Sequence, residues 1–216
     1  MRTSKNEMVE EESKLSTKDI RSFSSKDFPH GLTYGAWTVR WWKWCFSIPR
    51  EINPTLDESG VHAAERQTPP TWFMAGTWVS EKRSYPHRRC TIPRGVSILF
   101  PLINCEENPL EYPHLKTKSA MSNRLSYDMS TVRNLQCYVD GEAILPQRVR
   151  SDPEFFEIKM RADMSENKRS GTTLMTTDGY WVFLEPLAKG THHIKFEGSY
   201  QYGRLYSGAI YDLTVS

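Results

Sequence analysis

Polar side chains that could do chemistry follow directly after the most apolar stretch of the sequence, residues 98–103. They are Asn104, Glu106 and Glu107, with His114 a few residues further along. If a strand ends here, these groups emerge together at one edge of a sheet. Neighbouring carboxylates repel one another, which raises a pKa towards the range used in general acid–base catalysis, and their oxygens also suit a hard cation. The alternative is an ordinary solvated loop after a strand.

Two further residues are candidates for the same chemistry. Asp57 lies in a predicted turn and is a fourth potential acid or base. Arg89 belongs to a basic run at 82–89, and its guanidinium could hold a carboxylate or phosphate in a bidentate way. The alternative for this run is a charged loop that pairs with water or with the acidic residues after 103.

Aromatic residues supply a second kind of candidate. The chain has seven Trp, and four of them fall between 37 and 44. Aromatic faces stack on sugar rings and on flat ligands. The predicted ligand-binding residues are therefore Trp41, Trp72, Tyr180 and Tyr202, together with Arg89 and Asn104. For the Trp stripe at helical spacing, burial in the core is the alternative interpretation.

Two helices are predicted among the elements that position these groups. Thr33 is a suitable N-cap for a helix over 34–47, which Pro49 ends. This helix is apolar around most of its circumference, so it must be buried or must face a partner. A second helix is predicted near 117–131, with its apolar residues roughly on one side.

The remaining elements are predicted strands. A hairpin turn is predicted at Asp140–Gly141 and another turn at Asp178–Gly179, because Asp-Gly pairs favour the tight turns that join strands. Pro101 predicts an edge or a bulge within its strand. The predicted strands are 71–79, 96–103, 135–139, 154–160, 172–176, 180–185, 191–198 and 207–215.

Evenly spaced short strands with Asp-Gly and Pro/Gly turns predict a mainly β fold. The expected architecture is an antiparallel β-sandwich of jelly-roll or immunoglobulin-like type with two peripheral α-helices. Residues 1–27 are polar and carry many charges, which predicts a flexible tail before one domain at 28–216.

Charge and cysteine usage exclude several classes of protein. With 28 Lys and Arg against 26 Asp and Glu, a nucleic acid or an anionic membrane is not the expected partner. The four cysteines form no C-x-x-C pair, so we expect no metal site, and no cofactor motif is visible. No apolar signal segment is visible at the start, so we expect a cytoplasmic protein with reduced thiols.

Two motifs carry a resemblance to a known group of proteins. The first is Y-G-x-W-x-x-R-W-W-x-W-x-x-S-I-P at 34–49, and the second is I-P-x-G-x-x-x-x-F-P-x-I-N at 92–104. Together with the segment 178–192 they resemble an uncharacterised family of small single-domain microbial proteins. The resemblance covers about 30–216, implies those domain limits and brings no established activity. Members that resemble this chain are exported and richer in cysteine, whereas segment 59–64 here lacks the cysteine expected there.

Three functions stay open at this point. The first is a module that binds a small polar ligand, carbohydrate-like or another polar organic molecule. The second is a hydrolase or lyase that uses the carboxylate and histidine cluster, with Arg89 as anion holder. The third is a structural protein in which the Trp-rich helix forms an oligomer interface.

Overall fold

Two five-stranded β-sheets form the body of the protein in the computed structural model, which describes residues 20–216. Helix α1 is Tyr34–Ser47 and helix α2 is Lys118–Ser130. The strands are β1 (Thr71–Phe73), β2 (His87–Ile92), β3 (Ser97–Glu107), β4 (Arg133–Val139), β5 (Glu142–Ala143), β6 (Gln147–Arg150), β7 (Phe156–Met160), β8 (Gly171–Leu184), β9 (Gly190–Tyr200) and β10 (Leu205–Val215).

The first sheet has the order β1-β3-β8-β6, with β7 also paired to β8, and the second has the order β2-β10-β9-β4-β5. The prediction of a mainly β sandwich with two outer helices is confirmed. Each sheet is mixed, however, because β1 runs parallel to β3 and β2 runs parallel to β10. The chain leaves β1 for the second sheet as β2 and then returns as β3, so β1 and β3 point the same way. The jelly-roll or immunoglobulin-like connectivity stays a prediction.

Helix α1 has the predicted bounds, and its start is capped as the sequence indicates. The Thr33 hydroxyl accepts a hydrogen bond from the Ala36 N–H, which satisfies one of the free donors of the first turn. Ten of its fourteen residues are buried. They pack on the outer face of the first sheet, against Leu99 and Phe183, so the apolar surface of α1 is covered within the same chain.

A second core lies between the two sheets. Alternate residues of β3 and β8 point inward, and they meet the inward-facing residues of β9 and β10. In contrast with the α1 side, this core is mostly aliphatic, with Phe100 against Phe196 at 4.6 Å between ring centroids. The first sheet is therefore covered on both faces, which explains why Ser97–Ile103 is buried without alternation.

The predicted turn at Asp178–Gly179 is wrong, and one long strand, β8, replaces the two shorter ones. In β8, Gly179 lies opposite Asn104 and Asp178 lies opposite Cys105. A Cβ atom at position 179 would approach the Asn104 Cβ to 2.6 Å, so glycine is needed here for close strand approach. At Asp140–Gly141 the predicted hairpin is confirmed, with both residues at positive φ.

Other predicted bounds shift in ways that matter for the site. Only Thr71–Phe73 of the predicted 71–79 strand is a strand, and β3 continues four residues beyond the predicted end at 103. The predicted bulge is confirmed, since the pairing of β3 with β8 shifts between Pro101 and Ile103.

Part of the predicted 1–27 tail, residues 1–19, lies outside the described residues. Within the rest of it, the Phe23 N–H donates to the Phe183 carbonyl, and the Phe23 ring packs on the Phe183 ring at 5.1 Å. Among the described residues, no helix is both long and apolar enough to cross a bilayer.

Candidate functional site

A cavity of about 130 Å³ lies beside the second half of β3. Strand β1 pairs with β3 only at Ser97–Leu99, so from Phe100 onward the strand has a paired neighbour, β8, on one side only. The cavity flanks this open edge, and side chains from both faces of β3 reach it. At about 30 Å³ per molecule, this volume holds about four water molecules.

Aromatic side chains of α1 form one wall. Trp41 and Trp42 pack edge to face at 5.2 Å, and Phe46 stacks under Trp42 at 5.5 Å with an angle of 19° between the rings. Trp78 covers Phe46 from the segment after β1. The Trp78 backbone N–H donates to the Thr55 carbonyl at 3.3 Å. The aromatic wall is therefore built both from α1 and from the segment after β1.

Glu106 lies deep in the protein yet stays partly accessible, because it borders the cavity. Its pKa is raised to about 8, chiefly by burial and also by the neighbouring carboxylates of Glu107, Glu111 and Glu166. The hydrogen bond from Asn108 Nδ2 to Glu106 Oε2 at 2.6 Å acts in the opposite direction and lowers the pKa. Glu106 is therefore largely a neutral acid at pH 7.

Glu107 is the most deeply buried acid of the cavity, with 2% of its surface exposed. Burial raises its pKa to about 8, Arg124 lowers it, and Asp128 raises it. Arg124 donates from Nε to Asp128 Oδ2 at 2.9 Å, whereas the same nitrogen lies 3.9 Å from Glu107 Oε1. The one guanidinium at this wall is thus shared, with its shorter contact to Asp128 and its longer contact to Glu107.

Three polar atoms on cavity-lining residues are buried without a hydrogen-bond partner. They are Glu107 Oε2, Asn104 Nδ2 and Trp42 Nε1, out of nine such side-chain atoms in the described residues. A buried polar atom without a partner costs about 1–3 kcal/mol. Glu107 and Asn104 from β3 and Trp42 from α1 thus each carry a buried polar atom whose hydrogen-bonding capacity is unused.

The cavity is acidic and aromatic in character. Its titratable lining residues include five acids against one basic side chain, Arg124; the acids are Glu106, Glu107, Glu111, Asp128 and Glu166. Tyr112 and Tyr200 add hydroxyl groups whose pKa burial raises, so both stay protonated. Burial also raises the pKa of the Cys105 thiol, which excludes a thiolate nucleophile at neutral pH.

Four of the predicted site residues come together here. Trp41, Asn104, Glu106 and Glu107 all line the cavity. The predicted chemistry of neighbouring carboxylates with raised pKa values is present, but these residues belong to β3 itself and not to a loop after it.

The other predicted acid–base and anion-binding residues lie elsewhere. Asp57 holds a turn: burial would raise its pKa, but the N–H groups of His62 and Ser59 bind the carboxylate and lower it. Arg89 projects from β2 with 81% of its side chain exposed. His114 is exposed and contacts the ring of Tyr112 without lining the cavity itself.

The remaining predicted aromatic residues are also outside the cavity. Trp72 is buried in the core between the sheets, where it lies opposite Ile98. Tyr180 packs beside Met129 in a small cluster under α2. Tyr202 is exposed at the turn before β10, with the Arg133 guanidinium 5.4 Å from its ring.

Sequence reasoning missed the residues that complete the cavity. Arg124 and Asp128 are four apart on a helix that the sequence does predict, so their pairing was readable as an i,i+4 contact. Tyr112 and Glu166 come from loops without any local signal in the sequence.

Asn108 fixes the loop that follows β3. Its Oδ1 accepts from the N–H groups of Leu110 and Glu111, while its Nδ2 donates to Glu106.

Comparison with known proteins gives no further guide to this site. No protein-family model, curated protein or solved structure matches the chain.

Proposed function

We propose that this protein binds a small polar, carbohydrate-like organic molecule in the cavity beside β3. The observation that supports the proposal is that three residues lining the cavity, Glu107, Asn104 and Trp42, each keep a buried polar atom without a hydrogen-bond partner. A few fixed polar groups among aromatic side chains are typical of small-molecule sites.

The aromatic wall favours a ligand with a flat or ring-shaped apolar face. Trp42 and Phe46 offer stacked rings, and Trp78, which is only partly buried, stands beside them. Rings of this kind pack on the C–H face of a sugar, while hydroxyl groups at its rim take up the donors and acceptors. A ligand with several hydroxyl groups therefore fits both halves of the lining.

The charge of the lining favours an amine on that ligand. Five acidic residues and one Arg surround the space, so a protonated amine adds to the counter-charge of Arg124, which Glu107 shares with Asp128. An amine bound next to Glu106 and Glu107 lowers their pKa values from about 8, and both release protons as it binds.

The test uses three ligands that share one ring: a hexose, the matching 2-amino-hexose and the matching uronic acid. Isothermal titration calorimetry in two buffers of different ionisation enthalpy measures affinity and proton release together. We expect the amino-hexose to bind most tightly and to release protons, the hexose to bind more weakly without release, and the uronic acid to bind least.

Variants of the lining locate the binding. Glu107→Gln removes the carboxylate that pairs with the amine, and Trp42→Phe removes the indole donor, so each weakens binding of the amino-hexose by about tenfold or more. Glu58→Gln, at an exposed glutamate outside the cavity, is the matched control and leaves binding unchanged. If no ligand binds, or if the uronic acid binds best, the proposal is wrong.

A second candidate function is hydrolysis of the same class of molecule. The observation that favours it is the pair of acids Glu106 and Glu107, each with a pKa near 8, which can donate a proton at neutral pH. Incubation of the protein with an aryl glycoside distinguishes the two. An enzyme releases the aryl alcohol, and Glu106→Gln abolishes this release while the variant still binds the glycoside. A binding module binds the glycoside without turnover.

A further inference from the structure

Three side chains with metal-binding atoms meet on the outer face of the second sheet. His193 of β9 lies directly opposite Asp212 of β10, and Arg89 of β2 lies opposite Asp212 on the other side. His87 is two residues before Arg89 and so projects from the same face. Three adjacent strands therefore bring His87, Asp212 and His193 together, although they are up to 125 residues apart in sequence.

The ligand atoms already lie at short range. His87 Nε2 is 2.8 Å from Asp212 Oδ2, and His193 Nδ1 is 2.8 Å from Asp212 Oδ1. One potential ligand atom from each residue lies within 4.8 Å of the other two. In a tetrahedral zinc site, with bonds of about 2.0–2.1 Å, neighbouring ligand atoms are about 3.3 Å apart. Small rotations of the side chains thus suffice to place a cation between them.

The surroundings allow those rotations. About half of each imidazole is exposed and about a third of the carboxylate, so no packed side chain holds them in place. Arg89 competes for the carboxylate, since its Nε lies 3.7 Å from Asp212 Oδ2. An exposed ion pair of this kind contributes about 0–1 kcal/mol, which is small against three coordination bonds.

We propose that His87, His193 and Asp212 bind a borderline divalent cation such as Zn²⁺, Cu²⁺ or Ni²⁺. Two imidazole nitrogens and one carboxylate oxygen form the donor set that these ions prefer, whereas Mg²⁺ and Ca²⁺ prefer oxygen alone. Three protein ligands leave at least one coordination position to water or to an added ligand. None of the three residues lines the cavity beside β3, so this site is independent of the function proposed above.

His192 and His193 are adjacent in sequence, but only His193 belongs to the proposed site. His192 points to the opposite face of β9, where its Nδ1 bonds Asp140 Oδ2 and its Nε2 bonds the Ala188 carbonyl. His193 alone reaches the outer face. The cation therefore takes its ligands across strands and not along one strand.

The test titrates the full chain with Cu²⁺ and with Co²⁺. We expect one high-affinity Cu²⁺ per chain whose electron paramagnetic resonance spectrum shows coupling to nitrogen. For Co²⁺ we expect d–d bands without the thiolate charge-transfer band that binding to a cysteine gives. Mg²⁺ in excess should not displace either ion.

Variants decide which residues hold the cation. His87→Ala and His193→Ala, on different strands, each lower the affinity at least about tenfold. His114→Ala, at an exposed histidine in the loop before α2, is the matched control and leaves the affinity unchanged. The proposal is overturned if no cation binds, if both strand variants bind as the unmodified chain does, or if a thiolate band appears. Thermal unfolding of each variant confirms that it is folded, and Asp212→Asn provides a third variant with nearly unchanged volume.

Discussion

Arg88 and Glu107 are both buried ionisable side chains, and the fold treats them in opposite ways. Arg88 is 1% exposed, and its guanidinium donates to the carbonyls of Asp57 and Ala75 and to the Tyr211 hydroxyl. Glu107 is 2% exposed, and its Oε2 accepts from no group. The Arg88 guanidinium is thus surrounded by hydrogen-bond partners, whereas the Glu107 carboxyl borders a cavity and has a raised pKa.

The contrast separates a structural role from a binding role. The contacts of Arg88 join the turn at Asp57, the segment after β1 and strand β10, so the residue ties three parts of the second core together. Glu107 Oε2, in contrast, makes no hydrogen bond to any other part of the described chain. A buried group that stays without a partner lowers the stability of the fold, and such groups are found where a ligand completes them.

The largest expected effect comes from removal of Arg88. Arg88→Met leaves the Asp57 carbonyl without its donor and removes one of the donors to the Ala75 carbonyl and to the Tyr211 hydroxyl, so we expect the free energy of unfolding to fall by about 3 kcal/mol or more. Urea denaturation measures it. Arg89→Met is the control from the next position, since this side chain is 81% exposed, and it should change stability by less than about 0.5 kcal/mol. Equal losses in the two variants would contradict the structural role of Arg88.

The next largest effect is a dependence of stability on pH. Glu106 and Glu107 have a pKa of about 8 in the fold against 4.5 as the ordinary value, so the folded chain keeps protons that the unfolded chain has released. Stability therefore falls as the pH rises from about 4.5 to about 8. Above about pH 8 the loss is complete.

Urea denaturation between about pH 5.5 and about pH 8.5 measures this slope. The double variant Glu106→Gln, Glu107→Gln removes it and gives a flatter profile. Glu197 provides the opposite case, because hydrogen bonding to Arg83 lowers its pKa, so its contribution is lost only as the pH falls below about 4.5. Parallel profiles for the unmodified chain and the double variant would show that the two cavity acids are not responsible.

The smallest expected effect compares two neighbouring tryptophans. Trp41 donates from Nε1 to the Met74 carbonyl at 2.9 Å, whereas the Trp42 Nε1 has no partner, and both rings are buried. Trp41→Phe leaves the buried Met74 carbonyl without its donor, whereas Trp42→Phe removes a donor that has no acceptor. We expect Trp41→Phe to cost about 1 kcal/mol more than Trp42→Phe in urea denaturation. The reverse order would contradict the distinction between satisfied and unsatisfied groups.

Local chemistry made the helices predictable. Thr33 accepts a hydrogen bond from the Ala36 N–H, as the sequence indicates, and in the structure Thr117 caps the second helix in the same way through the Ala120 N–H. The hairpin at Asp140–Gly141 follows for the same reason. At Asp178–Gly179 the same dipeptide is part of a strand, because the close approach of Asn104 requires glycine there and the pairing partners override the local turn preference.

The candidate site was predictable in part. The acidic group after residue 103 was visible because a run of apolar residues ends in carboxylates. Its environment was not visible, since Tyr112, Arg124 and Glu166 come from separate loops and a helix. The pair of His87 and His193 was hidden likewise, because only the register of β2, β10 and β9 brings the two residues together. Pairing across strands is a tertiary property that no local pattern specifies.

The central claim is that Glu106 and Glu107 are buried acids with raised pKa values, which Arg124, the one basic side chain lining the cavity, compensates only in part. Titration of carboxyl carbons by ¹³C nuclear magnetic resonance tests it most directly, in the unmodified chain and in Glu107→Gln. We predict two glutamate carboxyl signals that titrate near pH 8 as a coupled pair, with one of them absent from the variant. If every glutamate carboxyl titrates near 4.5, the two acids are solvated or paired, and the account of the cavity is wrong.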